Sequence, residues 1–258
     1  NSIYGMRKFS LQAPRTRGYI REWIYHKLLK KENIPGLKYK FVELIINGKN
    51  KGIYAIEEHF DKILIESNRY REGPILKFSE DHLWDPILKN RTSFNNDNEL
   101  QNYNLILPFQ ERRINNDEVL KSQYEKGKSL LQEYIRGNIS TSEAFDTKSL
   151  AKFLVISDIT GSSHALAFNN LRFYYNPIIS RLIPIGFDGT PPFKENRLIK
   201  NINIEFNLLD FFNDSELSKE YYISLKRIAQ KEYLDKFLNS IKSELDSNMD
   251  ILHKSYPY

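Results

Sequence analysis

The chain places a polar loop and a single carboxylate at the two ends of one predicted β-hairpin, between residues 164 and 189. His164 and the tandem Asn169-Asn170 come before the first strand, and Asp188 comes directly after the second. Asn176-Pro177 supplies the turn between the strands. Amide and carboxylate oxygens are the hard ligands that Mg²⁺ prefers, and this ion keeps water positions for a substrate phosphate. The layout therefore predicts a divalent-metal site; the alternative is a hairpin with polar caps.

The N-terminal third, which precedes this hairpin, is predicted to be a small sheet with one helix. Residues 6–12 alternate in polarity as a strand does, and Thr16 can cap a helix that runs to about Lys30. Two further strands meet around Asn47-Gly48, a pair that favours a tight hairpin turn. Residues 73–78 form another short strand.

The rest of the chain is predicted to be mainly helical. Residues 90–104 are polar without a usable period and are expected to form a long loop. Helical periodicity then predicts helices over 117–136, 147–160 and 215–253, with the hairpin of residues 164–189 embedded among them. The fold class is α+β, because the order lacks the strand-helix alternation of a parallel doubly wound sheet.

Composition excludes several classes of protein. The 258 residues suffice for one two-lobed domain or two small ones. No apolar run approaches the roughly 18 residues of a membrane span. The absence of cysteine excludes disulfides, thiol catalysis and Cys-ligated zinc. It also suits an exported or surface protein, and the Asn-Ser start suggests that a leader or an upstream part has been removed.

Positive charge is concentrated at the start of the chain. Residues 1–75 contain 15 lysines and arginines against 8 acidic residues, a net charge of +7 within a whole-chain charge of +5. Such a surface can face the phosphates of a nucleotide or of nucleic acid, or it can be merely solvated. Nucleic acid is the weaker partner, because the aromatic residues fall at core spacing and no RNA- or DNA-binding motif is found.

Several blocks of the sequence resemble the CotH family of spore-coat kinases and its CotH-like relatives. The blocks are GMRKFSLQAPRTRGYIREW (5–23), KFVELIINGKNKGIYAIEEHFDK (40–62), REGPILKF (71–78), and HALAFNNLRFYYNP with LIPIGFDG (within 164–189). The resemblance implies a compact, atypical protein-kinase-like fold with two lobes, which we place at residues 1–78 and 79–258. It also implies transfer of phosphate from ATP to serine residues of a protein acceptor, with Mg²⁺ or Mn²⁺.

The resemblance assigns nucleotide roles to four charged residues of the N-terminal lobe. Lys8 resembles the strand lysine that contacts the α- and β-phosphates, and Glu22 the helix glutamate that orients it. Glu57 and Glu58 follow a strand where a kinase hinge would lie, beside the adenine. The alternative for Lys8 is an ordinary surface lysine, and the alternative for Glu57 and Glu58 is a solvated acidic turn.

The metal ligands implied by the resemblance are the polar residues at the ends of the hairpin. Asp188 resembles the metal-binding aspartate of the kinase Asp-Phe-Gly segment, although here the order is Phe-Asp-Gly. Asn170 resembles the metal-binding asparagine, and Asn169 is the competing choice.

The catalytic base is the point at which the sequence departs from kinases. A kinase catalytic loop has Asp-x₄-Asn, but His164 stands five residues before Asn169, and Ala165 five before Asn170. A neutral imidazole is a competent base near pH 7, so His164 is the first candidate, and Asp158 in the preceding helix is the second.

The missing aspartate leaves other functions open. One is a nucleotide-binding pseudokinase that acts as an interaction module in a coat, wall or extracellular matrix. Another is a transferase that moves AMP or an amino acid on the same scaffold.

Overall fold

The computed structural model describes residues 2–79, 105–189 and 211–256. The polar loop predicted at 90–104 lies outside these ranges. Within them the fold is α+β, as predicted, with two small antiparallel sheets and eight α-helices.

The first sheet confirms the predicted small sheet of the N-terminal third. Its strands are β1 (Phe9–Gln12), β2 (Tyr39–Ile46) and β3 (Lys49–Glu58), in the order β1-β3-β2. Asn47 and Gly48 join β2 to β3 and both have positive φ, 50° and 74°, as a two-residue hairpin turn of this kind requires.

The helices agree with the predicted periods, with one break that was not expected. They are α1 (Ile20–Lys31), α2 (Lys62–Ser67), α3 (Glu111–Asn115), α4 (Glu118–Ile135), α5 (Thr141–Ala144), α6 (Thr147–Thr160), α7 (Ser215–Ile228) and α8 (Lys231–His253). The region predicted as one helical segment, 215–253, is thus two helices that meet at Ala229 and Gln230. Within the described residues, no helix combines the length and the apolar character that a membrane span needs.

The predicted cap of α1 was wrong. Pro14–Arg17 form a short 3₁₀-helix, which Gly18 ends with a φ of 61°, and α1 begins only at Ile20. The hydroxyl of Thr16 donates instead to the carbonyl of Ala13, at 2.8 Å. An extra turn therefore separates β1 from α1.

The second sheet contains the predicted hairpin. Its strands are β4 (Ile75–Phe78), β5 (Ile106–Pro108), β6 (Arg172–Asn176) and β7 (Arg181–Pro184), in the order β5-β4-β6-β7. The division into lobes at residue 78 stays a prediction; β4, which that division assigns to the N-terminal lobe, pairs with β5 and β6 of this sheet.

Helix α1 packs against the segment that follows β7. Gly186 forms a parallel bridge with Gly36, and its N–H donates to the carbonyl of Pro35 at 2.8 Å. A Cβ atom at Gly186 would overlap the buried side chain of Leu29. Only glycine lets the chain pass this close to α1, and the contact fixes the position of the next residues, including Asp188.

The C-terminal end of α1 is held by a buried carboxylate. Glu32 forms an ion pair with Arg227 and accepts a hydrogen bond from the hydroxyl of Tyr233 at 2.6 Å. The ammonium of Lys152 lies 3.5 Å away. These partners come from α6, α7 and the start of α8, so one side chain connects four helices.

Candidate active site

An ion pair between Arg17 and Asp188 lies at the centre of the candidate site. Arg17 ends the 3₁₀-helix, and its guanidinium contacts the Asp188 carboxylate and lies 3.7 Å from Glu57 Oε2. Both side chains of the pair are largely buried, with 13% and 12% of their surface exposed. Arg17 was not among the predicted site residues, because Pro-Arg-Thr-Arg-Gly carries only a turn signal.

Asp188 has an unusual backbone conformation. Its φ is 49°, in the left-handed region that non-glycine residues seldom adopt and that aspartate and asparagine tolerate best. Burial by itself raises the pKa of the Asp188 carboxyl, but the hydrogen bond with His164 and the charge of Arg17 outweigh it, so this pKa lies below its ordinary value. The carboxylate is therefore ionised at neutral pH.

His164 joins the two predicted metal residues. Its Nδ1 lies 3.5 Å from Asp188 Oδ2 and 2.9 Å from Asn170 Nδ2. Asn170 is buried, and its Nδ2 also donates to the carbonyl of His164 at 3.0 Å, so its Oδ1 is the end of the amide turned away from His164. Asn169 contributes its backbone carbonyl, which accepts a hydrogen bond from Arg172. This geometry favours Asn170 over Asn169.

The predicted Lys8–Glu22 pair is not formed. Lys8 is exposed, and Glu22 is buried with Oε1 3.1 Å from His26 Nε2 and 3.2 Å from the N–H of Gly189, which donates to it. Glu22 therefore holds the residue after Asp188. The guanidinium of Arg17 contacts Asp188 instead.

Glu57 and Glu58 are both buried at the end of β3, which contradicts a solvated acidic turn. Glu58 forms an ion pair with Lys38, 2.6 Å from Nζ to Oε1. Glu57 faces the site: burial raises its pKa to about 7, although the charge of Arg17 lowers it. A role for either residue beside an adenine stays a prediction.

Asp158, the second candidate for the base, contacts a tyrosine of another helix. It lies in the last turns of α6, and the hydroxyl of Tyr221 donates a hydrogen bond to its carboxylate. This contact connects α6 to α7.

Glu22, His26 and Glu57 form a compact buried cluster whose potential ligand atoms lie within 4.8 Å of one another. The cluster is nevertheless poorly suited to a metal ion. His26 Nδ1 accepts a hydrogen bond from the N–H of Leu37 at 3.2 Å, so the proton of the neutral ring is on Nε2, the nitrogen that faces Glu22. A protonated Nε2 is a donor and has no lone pair for a metal.

The fold and this site define a kinase-like protein: a small sheet with a helix carrying a buried glutamate, followed by a hairpin that ends in a buried, ionised aspartate. More particularly, the chain belongs to the CotH kinase protein family, whose family model matches residues 1–248. A comparison with curated proteins gave no match. Membership of this family suggests a kinase that uses ATP and a divalent metal.

The residues around Asp188 fit such a metal ion. The carboxylate is ionised, and Asn170 has an amide oxygen that its contacts with His164 leave unused. Both are hard oxygen donors of the kind that Mg²⁺ and Mn²⁺ take. Arg17 supplies the compensating positive charge to Asp188 in the structure described here.

Proposed function

We propose that this protein is an ATP-dependent protein kinase that transfers phosphate to serine hydroxyls of a protein acceptor. The observation that carries the proposal is the convergence of Asp188, Asn170 and His164 beside Glu22, with His164 Nδ1 2.9 Å from Asn170 Nδ2 and 3.5 Å from Asp188 Oδ2. Family membership supports it independently. The family's association with spore coats supports an exported, cell-surface or coat location.

Asp188 and Asn170 are the residues that would hold Mg²⁺ or Mn²⁺. When bound, the ion neutralises charge on the phosphates during transfer. Glu22 keeps the Asp188–Gly189 segment against α1 by accepting the Gly189 N–H. Arg17, rather than Lys8, is the cation best placed for phosphate oxygens, because it lies beside Asp188. A guanidinium can bind such oxygens through two parallel hydrogen bonds.

His164 is the residue that would accept the proton of the acceptor hydroxyl. Its ring contacts within the described residues use Nδ1, and 45% of the side chain is exposed. Nε2 can take the acceptor proton only in the tautomer with the ring proton on Nδ1, in which that proton is directed to Asp188 and the Asn170 amide does not donate to Nδ1. The hydrogen bond with Asp188 raises the pKa of His164 above its usual value of 6.5, although burial lowers it. The neutral form needed for catalysis is therefore favoured only at a higher pH than for a free histidine.

A pseudokinase is the second candidate. The missing catalytic aspartate favours it, because the usual base is lacking. The ion pair between Arg17 and Asp188 also favours it, because it neutralises the carboxylate without a metal ion. Transfer of AMP or of an amino acid is a further alternative, which the mass of the modified acceptor distinguishes.

The Asp188→Asn variant tests the metal site. Asparagine keeps the shape and tolerates the left-handed backbone at this position, so the change removes charge with little strain. We expect the affinity for a non-hydrolysable ATP analogue with Mn²⁺ to fall by roughly tenfold or more. Calorimetry on the parent and the variant is the measurement; equal affinities would remove Asp188 from the site.

The His164→Gln variant tests the base. We expect transfer to a serine acceptor to fall by roughly 10²-fold, with nucleotide affinity nearly unchanged. In the parent, the rate should rise with pH through a midpoint above 6.5, since the folded protein favours the protonated ring. Undiminished turnover by the variant contradicts the role, and a parent inactive on every acceptor favours the pseudokinase.

A further inference from the structure

A groove lined by lysines lies between α1, the start of β2 and α8. It consists of two adjoining cavities of about 240 and 420 Å³. Residues common to both are Trp23, Lys27, Tyr39 and Lys40. Trp23 and Tyr39 are buried and form its floor, whereas the lysines form its rim. We call this feature the lysine groove.

The lysine groove has an excess of positive charge. Its rim contains Lys27, Lys30, Lys38 and Lys40. Two of these are neutralised, since Lys27 pairs with Glu244 and Lys38 with Glu58. Lys30 and Lys40 are exposed and have no carboxylate partner among the described residues. Two ammonium groups without a carboxylate partner around a recess are matched by a doubly charged anion, and a phosphate monoester carries a charge of about −1.5 to −2 at pH 7.

The shape of the lysine groove favours a peptide over a single small anion. The second cavity continues along α8, where it is lined by Ser243, Ser247 and Asn248. These short polar side chains can hydrogen-bond to an extended main chain. The exposed ring of Tyr4, with the Lys40 ammonium 4.8 Å from its centroid, adds an apolar contact at the rim. A recessed site of this kind does not suit a flat membrane surface.

We propose that the lysine groove binds a phosphoserine-containing peptide segment, with the phosphate between Lys30 and Lys40. This inference rests on the proposed function for the source of the phosphate, because phosphoserine is the product of the proposed reaction. An acceptor that already carries one phosphoserine would then be held by that phosphoserine in the lysine groove while another serine is modified.

The groove is connected to the candidate active site through His26. This residue lines the groove, accepts a hydrogen bond from the N–H of Leu37 and lies 3.1 Å from Glu22. A ligand that holds α1 against β2 therefore stabilises the helix that carries Glu22. Peptide binding should for this reason also increase transfer.

The test is binding of a fluorescent peptide with the sequence Ala-Phe-phosphoSer-Ala-Gly to the full chain, without nucleotide. We expect saturable binding that the unphosphorylated peptide does not share. Lys30→Glu and Lys40→Glu should each weaken it by roughly tenfold or more. The matched control is Lys121→Glu, which makes the same charge change on the exposed face of α4, outside the groove. Circular dichroism checks that each variant is folded.

Several results would overturn the inference. Parent-like affinity in both groove variants, or equal weakening by Lys121→Glu, excludes this groove as the binding site. If inorganic phosphate binds as tightly as the phosphopeptide, the groove is an anion site and not a peptide site. Displacement of the peptide by an ATP analogue without metal indicates a nucleotide site instead.

The two proposals can fail separately. Asp188→Asn should leave phosphopeptide binding unchanged, since Asp188 does not line the groove. Binding without transfer by the parent would refute the kinase and retain the groove. Transfer without any phosphopeptide binding would refute the groove alone.

Discussion

Two buried carboxylates beside Arg17 have opposite pKa shifts. Asp188 receives a hydrogen bond from His164 in addition to the charge of Arg17, and its pKa lies below the ordinary value. Glu57 lies farther from Arg17, at 3.7 Å, and burial raises its pKa to about 7. At neutral pH, Arg17 is therefore balanced mainly by Asp188, while Glu57 is partly protonated.

The raised pKa of Glu57 makes stability depend on pH. Between the ordinary pKa of 4.5 and about 7, the unfolded chain has lost the Glu57 proton and the folded chain keeps it, so the free energy of unfolding falls as pH rises. Glu57→Gln removes this dependence. The free energy of unfolding of the variant minus that of the parent should be larger at pH 8 than at pH 4, by up to about 3 kcal/mol. Urea unfolding from pH 4 to 8 measures this, and parallel curves for parent and variant would contradict it.

At the level of single residues, the sequence predicts which side chains lie close together where local geometry decides. Asn170, His164 and Asp188 meet because the two ends of a hairpin are adjacent whatever surrounds them. The predicted Lys8–Glu22 pair does not form: Lys8 lies before β1, which begins only at Phe9, and the 3₁₀ turn between β1 and α1 carries Arg17 into the site.

At the level of elements, the close passage of the hairpin over α1 decides where Asp188 lies. Gly186→Ala introduces a methyl group into the space of Leu29. We expect a loss of stability of roughly 1–3 kcal/mol, since overpacking forces the backbone to move.

The double variant with Leu29→Ala separates this cause from others. If the methyl group clashes with Leu29, the two substitutions together should cost less than the sum of the single losses. Thermal unfolding of the four proteins gives the coupling. Additive losses would show that the Gly186 substitution acts elsewhere.

The turn chemistry of short loops also explains which elements were predictable. Asn47-Gly48 and Asn176-Pro177 specify their turns by residue type, and both hairpins were correct. The break between α7 and α8 carries no such residue. Gln230, which precedes α8, makes no side-chain capping hydrogen bond, so residue type gave no signal for this break.

At the level of the whole molecule, Glu32 connects the helix of the candidate site to the C-terminal helices. Burial raises the pKa of this carboxyl, but hydrogen bonds from Arg227 and Tyr233 outweigh it, and the pKa lies below its usual value of 4.5. The resulting stability is present above that value and is lost as pH falls through the folded pKa.

Glu32→Gln should therefore destabilise the whole fold at pH 7, by roughly 1–3 kcal/mol, because Arg227 loses a charged hydrogen-bond partner. The matched control is Glu133→Gln, which removes a partly exposed carboxylate that contacts Arg136 and Asn138 and should change little. Chemical unfolding followed by circular dichroism is the measurement. Equal effects of the two substitutions would show that Glu32 has no special role.

The backbone bridge between Gly36 and Gly186 has a consequence for motion. A hinge-like opening of the first sheet away from the hairpin would have to break the hydrogen bond from Gly186 to Pro35 and separate Gly186 from Leu29. Such an opening is a local unfolding event, slower than the movement of a surface loop. We therefore expect ligands to enter and leave by rearrangement of side chains and loops around a fixed frame, and the amide of Gly186 should be among those that exchange hydrogen most slowly.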